Sequence, residues 1–125
     1  MSAAFRVTPE FAREFAASWI AAWNAHDLEA IMTHYEDDFA MSSPVIVQIV
    51  GEASGRLDGK PAIRAYWAQA LSKVPDLHFE LVEALAGIDS VTIVYRGHRG
   101  SCAEVLFFSP AGKVRAAFAH YGRPV

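Results

Sequence analysis

The sequence predicts an α+β fold, a curved and mostly antiparallel sheet wrapped by three helices into a cone-shaped barrel with a hollow mouth. Three observations lead there. Phe11, Phe15, Trp19 and Trp23 recur at every fourth position, which is one bulky buried face of a helix. After Pro75 the apolar period changes from helical to alternating. Finally, Gly87-Ile88-Asp89, Gly97 to Gly100 and Ser109-Pro110-Ala111-Gly112 punctuate four successive strands. Connections that short make neighbouring strands antiparallel.

The first helix starts at Thr8-Pro9-Glu10, with a hydroxyl cap, a proline whose missing N–H costs nothing there, and an acid in the first turn. Small Ala16, Ala17, Ala21 and Ala22 let neighbouring backbone come close. The stretch from Trp19 to Phe39 then reads as a helix end, a tight corner, a short helix and the start of a strand. Asn24 closes the first helix, because a short amide tolerates a non-helical exit. Asp27 caps the second, whose apolar side is Leu28, Ile31, Met32 and Tyr35.

Asp37 and Asp38 mark the turn into a strand, Phe39 to Ser43, ended by Pro44. The β-branched run Val45 to Val50 and the Gly-rich, charged stretch Gly51 to Gly59 read together as an extended flap over residues 45–59. Lys60-Pro61 opens the third helix, with Ile63, Tyr66, Trp67, Ala70 and Leu71 at helical spacing and Pro75 just past its end. The strands of the closing meander are Leu77 to Leu85, Val91 to Arg96, Cys102 to Phe108 and Val114 to Tyr121.

At 125 residues the chain is one domain, spanning 1–125 with a core of about 9–122. An apolar fraction of 53% is high beside an ordinary charged fraction of 20%, so part of the apolar surface is expected to be covered by a ligand or a second subunit. Both faces of the later strands are apolar, with Val105, Phe107, Ala117 and Ala119 assigned to one and Leu106, Phe108 and Phe118 to the other. Helices cover one face of such a sheet, which predicts a homodimer through the second. A net charge of −3 without a Lys/Arg cluster gives no footprint for nucleic acid. Arg96, His98 and Arg99, the densest basic spot, read as a solvated strand end. The lone Cys102 excludes an internal disulfide. The opening residues lack the apolar run of a signal peptide and no segment approaches membrane-spanning length, so a cytoplasmic protein without a membrane partner is expected.

Several stretches carry a resemblance. Trp23-Asn24-Ala25-His26-Asp27-Leu28, Tyr35-Glu36-Asp37-Asp38-Phe39, Gly59-Lys60-Pro61-Ala62-Ile63-Arg64 and Gly112-Lys113-Val114 resemble the nuclear transport factor 2-like superfamily. Within it the chain looks most like the SnoaL-like group, relatives of polyketide cyclases and ketosteroid isomerases. The resemblance implies the cone fold, which hosts many chemistries, and a dimer. It also maps isomerase roles onto this chain. The general-base aspartate falls at Ser43, a hydroxyl that cannot be a resting base. The oxyanion-binding tyrosine falls at Trp19, whose N–H can donate one hydrogen bond. The neutral acid falls at Glu104. With two of three roles altered, classical steroid isomerisation is not expected.

Glu104 is therefore the candidate catalytic residue. In Cys-Ala-Glu-Val-Leu-Phe-Phe, an inward carboxyl would lose hydration and hold its proton near neutrality. An outward one would pair with Arg96 or Arg115. The candidate ligand-binding residues are the aromatic walls Trp19, Tyr35, Phe39, Tyr66 and Trp67, with Trp19 and Tyr121 as polar handles, and Ser43, which otherwise reads as a strand-end hydroxyl bonding backbone. Ser43 lacks the Gly-x-Ser-x-Gly surround of a nucleophile, and Arg56 reads as a loop arginine. His78, His98 and His120 lack metal-ligand spacing, so neither metal nor cofactor is expected, although His120 matches a pocket-lining position in the resembled fold. The ligand expected is a small apolar molecule. The chemistry expected is isomerase, lyase or cyclase type, with non-catalytic ligand binding or dimerisation as the alternative.

Overall fold

The computed structural model describes residues 5–125; residues 1–4, part of the stretch read for a signal peptide, lie outside the described residues. Helix α1 (Pro9–Asn24) starts as its sequence dictates, with the Phe11 amide donating to Thr8 Oγ1 at 3.0 Å. Helix α2 (Leu28–Met32) is capped by Asp27, which accepts from the Ala30 amide at 3.1 Å. The corner between them turns through His26, the one described non-glycine residue with positive φ (54°). Asn24 remains helical and its side chain does something else. Its Nδ2 donates to the Phe79 carbonyl at 2.9 Å and its Oδ1 accepts the Phe79 amide at 2.6 Å, while His26 Nε2 lies 2.8 Å from the Leu77 carbonyl. The corner thus clamps the segment that leads into the meander.

Strand β1 (Tyr35–Ser42) begins four residues earlier than the sequence indicates, and Asp37 and Asp38 lie exposed within it beside a register shift. The segment read as an extended flap is a helix, α3 (Pro44–Val50), followed by a short strand, β2 (Arg56–Asp58). Among the described residues four helices are present rather than three. Ser43 and Pro44 repeat the hydroxyl-then-proline start of α1: Ser43 Oγ accepts the Val45 amide at 3.1 Å, and Gly51 ends the helix in the left-handed conformation (φ 81°). Burial of Val45 and Ile46, with Val47, Gln48 and Val50 exposed, overrides the β preference of the run.

Helix α4 (Lys60–Lys73) lies beside β1, and α1 lies beside β3 (Glu80–Ala86) and β4 (Ser90–Gly97). With β5 (Gly100–Phe108) and β6 (Val114–Tyr121) the strands form one six-stranded sheet in the order β2-β1-β6-β5-β4-β3. All neighbours are antiparallel except β1 and β6, which run parallel with Ala40 opposite Ala116. Among the described residues no helix is long and apolar enough to cross a membrane.

Register settles the two faces. Leu106 opposes Ala117 and Val105 opposes Phe118, so Ala117 and Ala119 belong with Leu106 and Phe108 inside, and Phe118 belongs with Val105 and Phe107 outside. The β6 residues thus lie on the faces opposite to those expected from the sequence, because strand parity does not carry through a turn of unknown register.

Candidate active site in the mouth of the cone

The inward side chains of β5 change character along the strand. Phe108 and Leu106 are packed core, with Phe108 meeting Phe11 and Phe15 edge-on at 5.2 and 5.0 Å. Glu104 and Cys102, further toward the mouth, line a cavity of about 370 Å³. The neighbouring strands switch at the same level: Ile93 is core and Tyr95 lines the cavity on β4, while Ala117 is core and Tyr121 lines it on β6. Glu104 pairs with Ile93 and Ala119; one layer outward, Cys102 pairs with Tyr95 and Tyr121. The carboxyl therefore sits at the floor, below a ring of polar side chains.

The walls are aromatic. Trp19 stacks on Phe79 (5.9 Å, 15° between planes) and meets Tyr95 edge-on at 5.3 Å, and Trp23 meets Trp67 at 5.3 Å. Asn24 and His26, by holding Phe79 and Leu77, fix one side of this wall. The mouth lies where α3, the end of α4 and the β4–β5 turn meet, lined by Gln48, Ile49, Lys73, Val74, His98 and Arg99.

Glu104 is only 4% exposed, and no cation pairs with it among the described residues. Burial pushes its pKa up to about 8, against a smaller opposing pull from hydrogen bonding to Tyr95. At neutral pH the protonated form is therefore favoured, a hydrogen-bond donor rather than a base. All four tyrosines of the chain feel it. Burial raises Tyr35, Tyr66, Tyr95 and Tyr121, and the Glu104 carboxylate, were it to form, would raise each further. Hydrogen bonding to Ser43 partly offsets the rise for Tyr66, which reaches about 12, and for Tyr121. These phenols stay neutral and act as donors and acceptors only. Burial also raises the Cys102 thiol, which is not poised for nucleophilic attack.

The SnoaL-like domain family model matches residues 16–122. The chain belongs to the SnoaL-like domain family. A SnoaL-like protein of unknown function from Burkholderia thailandensis E264 is 55% identical, with a TM-score of 0.91 over 95% of this chain and 100% of that one. Two more distant structures share the fold. SalBIII, an epoxide hydrolase/cyclase-like enzyme in pyran ring formation of the polyether salinomycin, is 18% identical (TM-score 0.68; 90% of this chain, 92% of that one). AclR, a proposed hydroxylase from Streptomyces galilaeus, is 21% identical (TM-score 0.72; 94% of this chain, 79% of that one).

In this SnoaL-like domain Glu104, Trp19, Tyr66, Trp67 and Tyr121 come together around the cavity. Tyr35 and Phe39 do not line it. They are 1% and 0% exposed, packed on each other at 4.4 Å behind Trp67, because β1 starts early and turns them into the core. Ser43 does not itself line the cavity: its hydroxyl caps α3 and hydrogen bonds to the cavity tyrosines Tyr66 and Tyr121 from behind, and the residue borders a separate shallow hollow with Phe118 and His120. His120 is on the outer face, its Nδ1 3.2 Å from the Phe118 carbonyl, so it is not a wall of the main cavity. The outward alternative for Glu104 fails as well: Arg115 pairs with Asp89 at 3.4 Å, and Arg96 is exposed at the end of β4. Arg56 pairs with Asp58 at 2.9 Å and does not reach the cavity.

Sequence reasoning missed Tyr95, Trp23, Phe79 and Arg99. The signal for Tyr95 was present, since alternation on β4 puts it on the face of Val91 and Ile93. Arg99 carried no such signal; the β4–β5 turn curls it over the mouth instead of into solvent. Among the described residues no cluster of three or more metal-binding side chains occurs.

Proposed function

We propose that this protein is an acid/base enzyme of isomerase, lyase or cyclase type, acting on a small, largely apolar molecule that carries a carbonyl or other oxygen. The observation that carries the reading is Glu104: a buried carboxyl on the floor of an aromatic cavity, with no cation beside it among the described residues, so that burial pushes its pKa up to about 8. Such a group donates its proton to an oxygen that gains negative charge in the transition state. The proton must return for turnover, so the fitting reactions move a double bond, eliminate water or close a ring without net proton gain. Tyr95, beside Glu104, stays neutral and offers a hydroxyl to the same oxygen. The aromatic walls exclude water and hold the apolar body.

The test is Glu104→Gln, which keeps shape and an amide donor while removing the proton. Turnover on a panel of enones, epoxides and β-hydroxy ketones is expected to fall by about 100-fold or more, and wild-type kcat/KM is expected to decline as pH rises through about 8. A variant with wild-type turnover and pH profile would refute the assignment.

A second reading, a ligand-binding domain without chemistry, is favoured by one observation. Among the described residues Glu104 is the only carboxyl lining the cavity, and the phenols around it are all held neutral. Unaltered ligand affinity in Glu104→Gln, with no turnover in either protein, would support that reading.

A further inference from the structure

The mouth of the cavity is charged in a way that proton transfer at its floor does not require. The chain carries 14 acidic and 11 basic residues other than histidine. Even so, the cavity is lined by Lys73, His98 and Arg99 at the mouth and by no acid except Glu104 at the floor. Elsewhere Arg56 pairs with Asp58, Lys60 with Asp37, Arg64 with Glu29 and Arg115 with Asp89, while Arg6, Arg13, Arg96, Lys113 and Arg123 make no ion pair among the described residues; what sets Lys73 and Arg99 apart is their place on the cavity rim. Neither Lys73 nor Arg99 has an ion-pair partner among the described residues.

Arg99 is half-buried and held in place without being neutralised. Its Nη2 donates to Gln48 Oε1 at 3.0 Å, and its guanidinium carbon lies 5.9 Å from the centre of the Tyr121 ring. A neutral amide and an aromatic face orient the fork and leave its remaining donors unassigned. Lys73 has a second reason for its position, since a cation in the last turn of α4 offsets the helix dipole. Arg99, on a strand-to-strand turn, has no such reason. His98 is held below the ordinary histidine value by burial and by Arg99, with Asp76 opposing, so it adds little charge at neutral pH. Asp76 is exposed and does not line the cavity.

We propose that the ligand is an apolar monocarboxylate: its hydrocarbon body fills the aromatic cup, its reacting oxygen meets Glu104 at the floor, and its carboxylate is held at the mouth by Arg99 and Lys73. The placement of the body rests on the function proposed above; the anionic head rests on the rim alone. A planar carboxylate matches the two-pronged guanidinium, and an ammonium beside it supplies the remaining attraction. The floor acid does not repel such a ligand, because it is neutral.

The test compares 4-phenylbutyrate with 4-phenylbutan-1-ol, which differ at the head group only, and with 4-phenylbutyl phosphate. All three tryptophans line the cavity, so their emission reports binding in the intact protein. At low salt the carboxylate is expected to bind about tenfold more tightly than the alcohol, with the advantage shrinking as salt screens the rim. In the double variant Arg99→Gln with Lys73→Gln the two should bind within about twofold, at the alcohol's wild-type affinity, which also shows that the cup is still folded. Equal binding by the wild type, a preference retained in the double variant, or a phosphate bound more tightly than the carboxylate would each overturn the proposal. Glu104→Gln is expected to keep the carboxylate preference, so a failed rim and a failed catalytic acid read out separately. If none of the three probes binds the wild type, both readings fall.

Discussion

Trp19 donates its indole N–H to the Tyr35 hydroxyl at 2.9 Å, across 16 residues and inside the core. Trp19 therefore presents a ring to the cavity and no donor. The position that the family resemblance gave an oxyanion-binding role is committed to holding α1 against β1.

Tyr35→Phe should consequently destabilise the protein although it removes a single oxygen. It leaves the Trp19 N–H buried without an acceptor, at a cost of about 1–3 kcal/mol in urea unfolding. Adding Trp19→Phe should cost less than the sum of the two single changes, because the orphaned donor is then gone. Strict additivity would show that the two groups do not depend on each other.

The Glu104 carboxyl makes stability depend on pH in a definite direction. Its folded pKa of about 8 lies above its ordinary value, so the unfolded chain loses this proton first as pH rises. Its contribution is fully present below the ordinary glutamate range and is lost between there and about pH 8. Against Glu104→Gln, the wild type should lose a few kcal/mol of relative stability over that window. The half-buried His34, whose pKa is lowered by burial and by Lys113, is common to both proteins and cancels. Parallel melting-temperature profiles from pH 5 to 8 would contradict a buried carboxyl.

Asn24→Ala should be costly for a corner residue. It strips both hydrogen bonds from the Phe79 backbone, at about 1–3 kcal/mol. It should also shift tryptophan emission, since Phe79 is stacked on Trp19. A loss of stability without a change in emission would mean that the clamp does not set the wall.

The outer sheet face carries Val105, Phe107 and Phe118, the last 37% exposed, with the two phenylalanine rings meeting at 5.8 Å and 90°. We expect a second copy of the chain to cover it, which equilibrium sedimentation would register as a dimer mass at micromolar concentration. Phe118→Lys should then give monomers with the cavity intact. A wild-type monomer would remove the expectation.

Much of this fold is legible in the sequence because local signals and burial agree. Thr8-Pro9, Asp27 and the turns at 87–89 and 109–112 each do locally what the tertiary structure needs. The run Val45 to Val50 is where they diverge. Its β-branched composition suggests a strand, while the Ser43-Pro44 start and Gly51 stop define a helix, and packing of Val45 and Ile46 decides. The site is legible in part. Glu104 stands out as an acid among apolar residues, yet which way it points depends on register with β4 and β6. Arg99 could not be found by pattern at all, because a turn residue has no periodicity to give it a face.

The parallel pairing of β1 with β6 bears on the order in which the chain is made. Residues 40 and 116 are neighbours across it, so the cone cannot close until β6 exists. During synthesis the helices and the β3–β4 hairpin can form from local contacts, whereas β1 must wait for the last strand. Glu104 is flanked by that same strand, so its carboxyl stays hydrated until β6 docks. The cavity thus cannot be complete before β6 has docked, and a chain cut short before residue 114 is expected to bind no ligand.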